Sequence, residues 1–392
     1  FGRVAIFDLI SYFAFFLLIG KWHTLSKPQR TIVYLSLVWV FSAILSNIMN
    51  DVPIQVNLKS SMIVFNVTCM LVCSFILLNK SKEAFVWFIV GNGISGVLSF
   101  YIFPNGALLY FAQAAGYSGG NLADYLLEKQ VYPTYISAIV KSVLFPLALS
   151  TSLSMVIINL LVLISGFFLL SLGSRSSFGI FAFTSILGLL YVFSRRTIDK
   201  IVKRLGLALL FFISIGYLVV YLYGNLAESG TLGIEEKKKY EAQFEESGLG
   251  LIGGRNELLY TSRAIVKRPL FGLGANRHDN YGIIESVSQN NGSVPREIYF
   301  TKQIPAHSIL MGAWVENGLG GGIFWIYVML VLVRFLREIP AKYPRYFPFL
   351  IYLYIGFGWA ILFSPFGGAR GLFCMLIALA VLLLEDNKTE NV

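Results

Sequence analysis

About eleven long apolar runs, separated by short polar connections, restrict the possible folds of this chain more than any other feature. They lie near residues 4 to 20, 32 to 49, 60 to 78, 84 to 103, 134 to 150, 153 to 173, 177 to 194, 205 to 223, 306 to 333, 347 to 363 and 367 to 384. Each approaches the ~17–25 residues that a helix needs to cross the hydrocarbon core, where backbone groups must pair within the helix because no water is present. With 56% hydrophobic and 13% charged residues over 392 positions, and a mean hydropathy of +0.70, the chain is far more apolar than a soluble domain needs to be. The predicted fold class is therefore an all-α integral membrane bundle. The run at 134 to 150 is the weakest, since Lys141 and Pro146 make it kinked, shorter or partly lined by protein.

Lys and Arg mark the connections that stay inside. Lys21, Lys27 and Arg30, then Lys80 and Lys82, then Arg195, Arg196, Lys200, Lys203 and Arg204, then Arg334, Arg337, Lys342 and Arg345 occupy every second connection. The short connections between them hold only Lys59, Arg175 and Arg370, and the long segment from about 224 to 305 is exempt because long segments translocate regardless of charge. This register puts the tail EDNKTENV inside and the first residues outside. Because Phe1 is not an initiator Met, a preceding span and about twelve crossings in all are expected. The net charge of +10 arises largely from these inner basic residues, which removes the case for nucleic acid as a partner. Cys69, Cys73 and Cys374 fall inside apolar runs without the spacing of a metal site, so neither a disulfide nor zinc is expected.

Three parts follow: a first bundle portion (1–223), a large outer segment (224–305) and a second bundle portion (306–392). Within the first, residues 104–133 are aromatic, glycine-containing and nearly uncharged, which fits either an interfacial lid or a plain connector. The large segment is the only extended polar region. Its EEKKKYEAQFEESG stretch reads as a solvated helix, while GGRNELLYTSRAIVKRPLFGLG reads as a Gly-Gly entry, an amphipathic helix over about 255–267, a stop at Pro269 and a Gly272-Leu-Gly274 turn. Arg255 falls at the start of that helix, where a guanidinium beside unpaired N–H groups suits an anion.

His23, His278 and His307 are the only histidines. His23 lies among the inner basic residues and His278 in a turn, whereas His307 follows Pro305 and opens an apolar run, so a rigid scaffold best positions it. If 307–333 is one helix, Gly318 returns to within about 20° of His307 and Gly321 to about 40° on the other side, giving a shared glycine face. Gly318 and Gly322 also meet the small-xxx-small packing rule. Two readings fit: a capped helix with packing glycines and a His bonded to a carbonyl, or a catalytic His above a close-approach stripe. Arg175 and Arg370, at outer helix ends, either snorkel to the interface or hold an anion. Glu316 is placed on the opposite side, hydrogen-bonded within the bundle. No Asp-x-Asp pair, nucleotide-binding Gly loop, HExxH or GxSxG is present, so metal-dependent nucleotide-sugar, metalloprotease and serine hydrolase chemistries are disfavoured, and no cofactor or metal is expected.

The run HSILMGAWVENGLGG, preceded by RNELLYTSRAIVKRPLFGLG, resembles the signature region of the O-antigen ligase and O-antigen polymerase superfamily, most closely over about 255–325. The resemblance implies a bundle like that of C-type glycosyltransferases in the bacterial inner membrane, with its active site on the periplasmic face. The implied partners are an undecaprenyl-diphosphate-linked glycan donor, a glycan acceptor (a lipid-linked repeat or lipid A core), membrane lipids and a chain-length regulator. It also implies that His307 is the essential histidine and that Arg255 and Arg175 hold the diphosphate; Arg370 is added to them from topology alone. Ligases commonly carry His-Asn after an earlier His, whereas this chain has Pro305-Ala306-His307-Ser308, which favours the polymerase. A ligase is the alternative. A polysaccharide-lipid transporter is the reading from another class, opposed by the clustering of informative residues at one face and by the lack of an apparent inverted repeat.

Overall fold

The computed structural model describes residues 6–102, 155–171, 175–193, 257–291, 302–306, 308–342, 346–364 and 370–386, with further positions at 214, 221–222, 224–231, 234 and 237. Among the described residues the regular structure is helical, and the one isolated bridge joins His278 to Gln303. The helices are α1 (Ile6–Leu18), α2 (Lys27–Met49), α3 (Ile54–Lys80), α4 (Glu83–Ile102), α5 (Met155–Ser171), α6 (Arg175–Phe193), α7 (Glu257–Lys267), α8 (Ile283–Asn291), α9 (Ile309–Asn317), α10 (Leu319–Lys342), α11 (Phe347–Phe363) and α12 (Arg370–Glu385). A 3₁₀ turn, Ile19–Thr24, follows α1.

Lys27–Met49, Ile54–Lys80 and Leu319–Ile339 are long and apolar enough to cross a membrane, and Leu9–Thr24, Glu83–Ile94, Val156–Leu170, Ser177–Phe193 and Phe349–Phe363 are shorter apolar helices. These fall on the apolar runs of the sequence. The runs at 134–150 and 205–223 lie outside the described residues apart from 214 and 221–222, as do the 104–133 segment and nearly all of EEKKKYEAQFEESG.

The chain divides into two compact units, one of Phe1–Lys82, Leu251–Phe335 and Phe357–Val392, the other of Glu83–Gly250 and Leu336–Gly356. In the first, α3 is the central helix. Of its most apolar stretch 72% is buried, against 39% for α2, because α1, α2 and α12 all pack on it. Large apolar side chains turned outward from α1 and α2, such as Phe13, Phe16 and Phe41, give the unit a surface suited to lipid rather than water. Helix α2 starts with a reciprocal cap: Gln29 N donates to Ser26 Oγ and Ser26 N to Gln29 Oε1, both at 3.3 Å, with Pro28 in the first turn. The Gln29 amide also donates to Asn79 Oδ1 and to Glu385 Oε2, each at 3.0 Å, and Lys82 pairs with Asp386. One end of the unit thus gathers the starts or ends of α2, α3 and α12 that the Lys and Arg pattern assigns to a common side.

In the second unit α5 and α6 pack closely, since Gly188 faces Asn159 and Gly166 faces Phe181 with no room for a Cβ. Leu170, Phe178 and Ala182 form the core of that pair. The ring of Phe181 meets that of Tyr352 edge-on at 4.9 Å.

The run at 306–333 departs from the expected single helix. It breaks at Gly318, whose φ of 69° and ψ of −154° are not helical, leaving the nine-residue α9 before the crossing helix α10. A continuous helix would pair Leu319 N with Val315 O. Instead Leu319 N donates to Leu270 O at 3.0 Å, and Val315 O accepts from Leu273 N at 2.6 Å. Residues 270–273 of the large segment thus take over both halves of the missing helical bond, satisfying the groups that the break exposes.

Candidate active site

The large segment builds its own core. On α7, Tyr260 and Ala264 are one turn apart and both buried, as helix periodicity requires of an inward face. They join Leu273, Ile283, Ile284, Val287, Ile304 and Val315, so the core of this segment extends onto α9. Burial pushes the Tyr260 phenol above its ordinary range. Pro269 stops α7, and Gly272 then turns with φ 65°. The sequence placed the end of α7 at 267, Pro269 and the Gly272–Gly274 turn where the structure has them.

Gly272 and Gly318 meet backbone to backbone. A Cβ on Gly272 would lie 2.5 Å from Val315 O, and one on Gly318 would lie 2.1 Å from Leu270 O. Trp314 Nε1 donates to Pro269 O at 2.9 Å across the same junction. From the other side α2 supplies hydroxyls and an amide: Ser46 Oγ donates to Glu316 O at 2.7 Å, Ser42 Oγ to Asn317 O, and Ala275 N donates to Asn47 Oδ1 at 2.8 Å. The Asn47 amide in turn donates to Asn57 Oδ1 at 3.1 Å and to Ser60 Oγ at 2.9 Å. Sequence reasoning missed this polar ladder, although buried Asn and Ser within an apolar run were the signal for it.

His307 lies outside the described residues. Its neighbour Ser308 is held twice: its Oγ accepts from Met311 N at 3.2 Å as the N-cap of α9 and donates to Ile361 O at 3.0 Å in α11. Arg255 also lies outside, two residues before α7. Arg175 is the first residue of α6, in the second unit, and its side chain is not among those described; Arg370 is the first residue of α12 and half-buried. Gly318 is the cap of α9, so the run 309–333 is not the one continuous helix on which the glycine stripe was expected. The cause is the non-helical glycine itself. Gly321 approaches Ala313 O and the Trp39 indole, and Gly322 approaches the Trp314 ring. Both stand in the first turn of α10, folded against the helix before it.

Three further guanidiniums belong to this segment. Arg277, with φ 48°, brings Nε within 3.2 Å of Glu316 Oε1, so Glu316 pairs with the large segment and not within the bundle as expected. Arg268 stacks over the Tyr281 ring at 5.4 Å, and Arg263 donates to Ser286 Oγ at 3.0 Å. Asp279 caps α8 by accepting from Ile283 N at 2.9 Å and Ile284 N at 2.7 Å. His278 bridges to Gln303, and is therefore tied down more firmly than its turn-like sequence suggested. Among the described residues no three His, Cys, Asp or Glu side chains come together to hold a metal ion.

A helical membrane protein in which a polar segment with its own small core closes a helix break at the head of a crossing helix is the class that these features define. A family model described as O-Antigen ligase matches residues 160–326 of the chain. No curated protein and no solved structure matches the chain.

Proposed function

We propose that this protein is a glycosyltransferase of bacterial surface polysaccharide assembly that joins an undecaprenyl-diphosphate-linked glycan to a sugar hydroxyl at the periplasmic face of the inner membrane. The observation that carries the reading is the family match across residues 160–326, which contain Arg175, Arg255 and His307. When the acceptor attacks the anomeric carbon, negative charge builds on the departing diphosphate. Guanidiniums stabilise that charge by bidentate contact, each contributing on the order of 3 kcal/mol, and Arg175, Arg255 and Arg370 are assigned this role. His307 takes the hydroxyl proton, because an imidazole with a reference pKa of about 6.5 is matched to that transfer near neutral pH. Attack opposite the leaving group inverts the anomeric configuration, and no step requires a metal. The double hold on Ser308 supports the assignment of His307, since a base must be positioned before it can act.

Polymerisation of repeat units is favoured by the Pro305-Ala306-His307-Ser308 context. Ligation to lipid A core is the second reading, favoured by the name of the matching family, O-Antigen ligase. In a deletion strain, single repeats accumulating on the lipid carrier identify a polymerase, and long unattached chains a ligase. The central test uses the full chain purified in detergent with lipid-linked glycan and acceptor. New glycosidic product without a sealed compartment is the expected result, and it separates transfer from transport. His307→Ala abolishes product while donor binding persists; wild-type turnover in that variant removes His307 from the mechanism. Arg175→Lys and Arg255→Lys are poor replacements, because a point ammonium cannot make the bidentate contact. Normal activity in both would assign them to interfacial anchoring.

A further inference from the structure

The inward face of α7 is taken up by the core of the large segment, yet apolar side chains remain outside it. Val266, in the last turn of α7, is 80% exposed, and Leu270, just past Pro269, is 57% exposed. Single exposed apolar residues are ordinary on a protein surface. These two differ because a lipid-facing stripe begins beside them. Leu319, Ile323, Ile326 and Leu330 are exposed at spacings of four, three and four along the crossing helix α10, which puts them on one face. Leu270 O accepts from Leu319 N at 3.0 Å, so the chain at Leu270 sits against the top residue of that stripe. Half-buried Trp314, whose Nε1 donates to Pro269 O at 2.9 Å and whose ring meets Gly322, ties the two together. An indole with its single donor satisfied is favoured at a membrane boundary.

The helices themselves measure the depth. Arg334 is the first charged residue of α10, and its guanidinium keeps that point at or just inside one boundary of the hydrocarbon core. Leu319 stands 15 residues before it, about 22 Å along the axis, against a core thickness of ~30 Å. Leu319 is therefore at or below the opposite boundary, and the backbone of Leu270 with it. Helix α2 supplies an independent ruler. Ser42 and Ser46, which donate to Asn317 O and Glu316 O, lie 12 and 16 residues beyond Arg30, about 18 and 24 Å along the axis. Irregular backbone is tolerated at that depth only where its polar groups are paired, and Leu270 O and Leu273 N are both paired.

We infer that the end of α7 is a membrane anchor of the large segment: Val266 and Leu270 insert among acyl chains at the boundary beside Leu319, and Lys267, exposed between them, lies at the phosphates of the same leaflet. The occupant of this face is the phospholipid leaflet, because the patch is continuous with the lipid-facing side of α10. The inference holds for either orientation of the chain in the membrane and does not rest on the transfer chemistry proposed above.

The test is electron paramagnetic resonance of the full chain in vesicles of phosphatidylglycerol and phosphatidylethanolamine, with Cys69, Cys73 and Cys374 replaced by alanine. One nitroxide is attached at Leu270→Cys, Val266→Cys, Lys267→Cys or Leu330→Cys, the last marking the depth of the span. Collision rates are compared between oxygen, which partitions into lipid, and a water-soluble nickel chelate. At Leu270 and Val266 the oxygen rate is expected to exceed the nickel rate severalfold, and at Lys267 the ratio falls severalfold towards parity. All three side chains are exposed, so the labels displace no packing, and elution as the wild type checks this. A nickel rate above the oxygen rate at Leu270 or Val266 puts the end of α7 in water and overturns the inference. Low access to both reagents there, the signature of cover by protein such as a second copy of this chain, overturns it equally. So does a ratio at Lys267 as high as that at Leu330.

Discussion

Gly318 has φ 69° and ψ −154°, a region open in practice only to glycine, and a Cβ there would lie 2.1 Å from Leu270 O. Backbone strain and a collision with a carbonyl therefore act together. Gly318→Ala is expected to destabilise the protein by about 3 kcal/mol or more, seen as a lowered midpoint of thermal unfolding in detergent. Gly91, inside α4 with nothing within 4 Å of its added Cβ, is the control. There, alanine is neutral or stabilising by up to about 1 kcal/mol, because helix propensity rises and nothing collides. An equal loss at both positions would show that Gly318 has no special conformation. Asn47 is the other residue whose loss spreads: Asn47→Leu leaves Ala275 N without its acceptor and removes the amide that donates to Asn57 Oδ1 and Ser60 Oγ, at a cost of about 2 kcal/mol by the same measurement.

At the scale of elements, the junction of residues 270–273 with the α9–α10 break is held by backbone bonds, and the Arg277–Glu316 pair only assists. Its side chains are 27% and 35% exposed, so solvent screens the attraction. A double-mutant cycle with Arg277→Gln and Glu316→Gln is expected to give a coupling below about 1 kcal/mol in unfolding free energy. A coupling of several kcal/mol would make the ion pair, and not the interlocked glycines, the main tie. Helix α7 was legible in advance because Gly253, Gly254 and Pro269 punctuate an amphipathic stretch, and local signals of that kind need no partner. The break at Gly318 was not legible. ENGLGG inside an apolar run reads as a helix with packing glycines, and only Leu270 and Leu273, 49 and 42 residues before their partners Leu319 and Val315, reveal why the helix stops.

At the scale of the molecule, the Lys and Arg pattern predicts which ends share a side. In a protein whose Cys69, Cys73 and Cys374 are replaced by alanine, Ser229→Cys in the large segment is expected to react with a membrane-impermeant thiol reagent in intact cells, and Ser81→Cys at the end of α3 only after permeabilisation. The reverse pattern would put the large segment in the cytoplasm and rule out the periplasmic reaction proposed here. Transfer activity is also expected to survive metal chelation, since the guanidiniums supply the charge stabilisation; loss of product on chelation, restored by a divalent ion, would count against that mechanism.

Hydropathy by itself determined that the chain is a helical membrane protein, because a backbone in lipid has no solution other than to close its hydrogen bonds within each run, and that constraint can be read one segment at a time. It also marked the large polar segment and the run around His307 as the places where the chemistry is proposed. Tertiary structure alone decided that Gly318 interrupts a helix, that Asn47 receives Ala275 and that Glu316 pairs with Arg277. Each of these depends on two segments distant in sequence supplying complementary groups to one place, and the pairing of such groups is fixed by packing, which no local pattern of residues encodes.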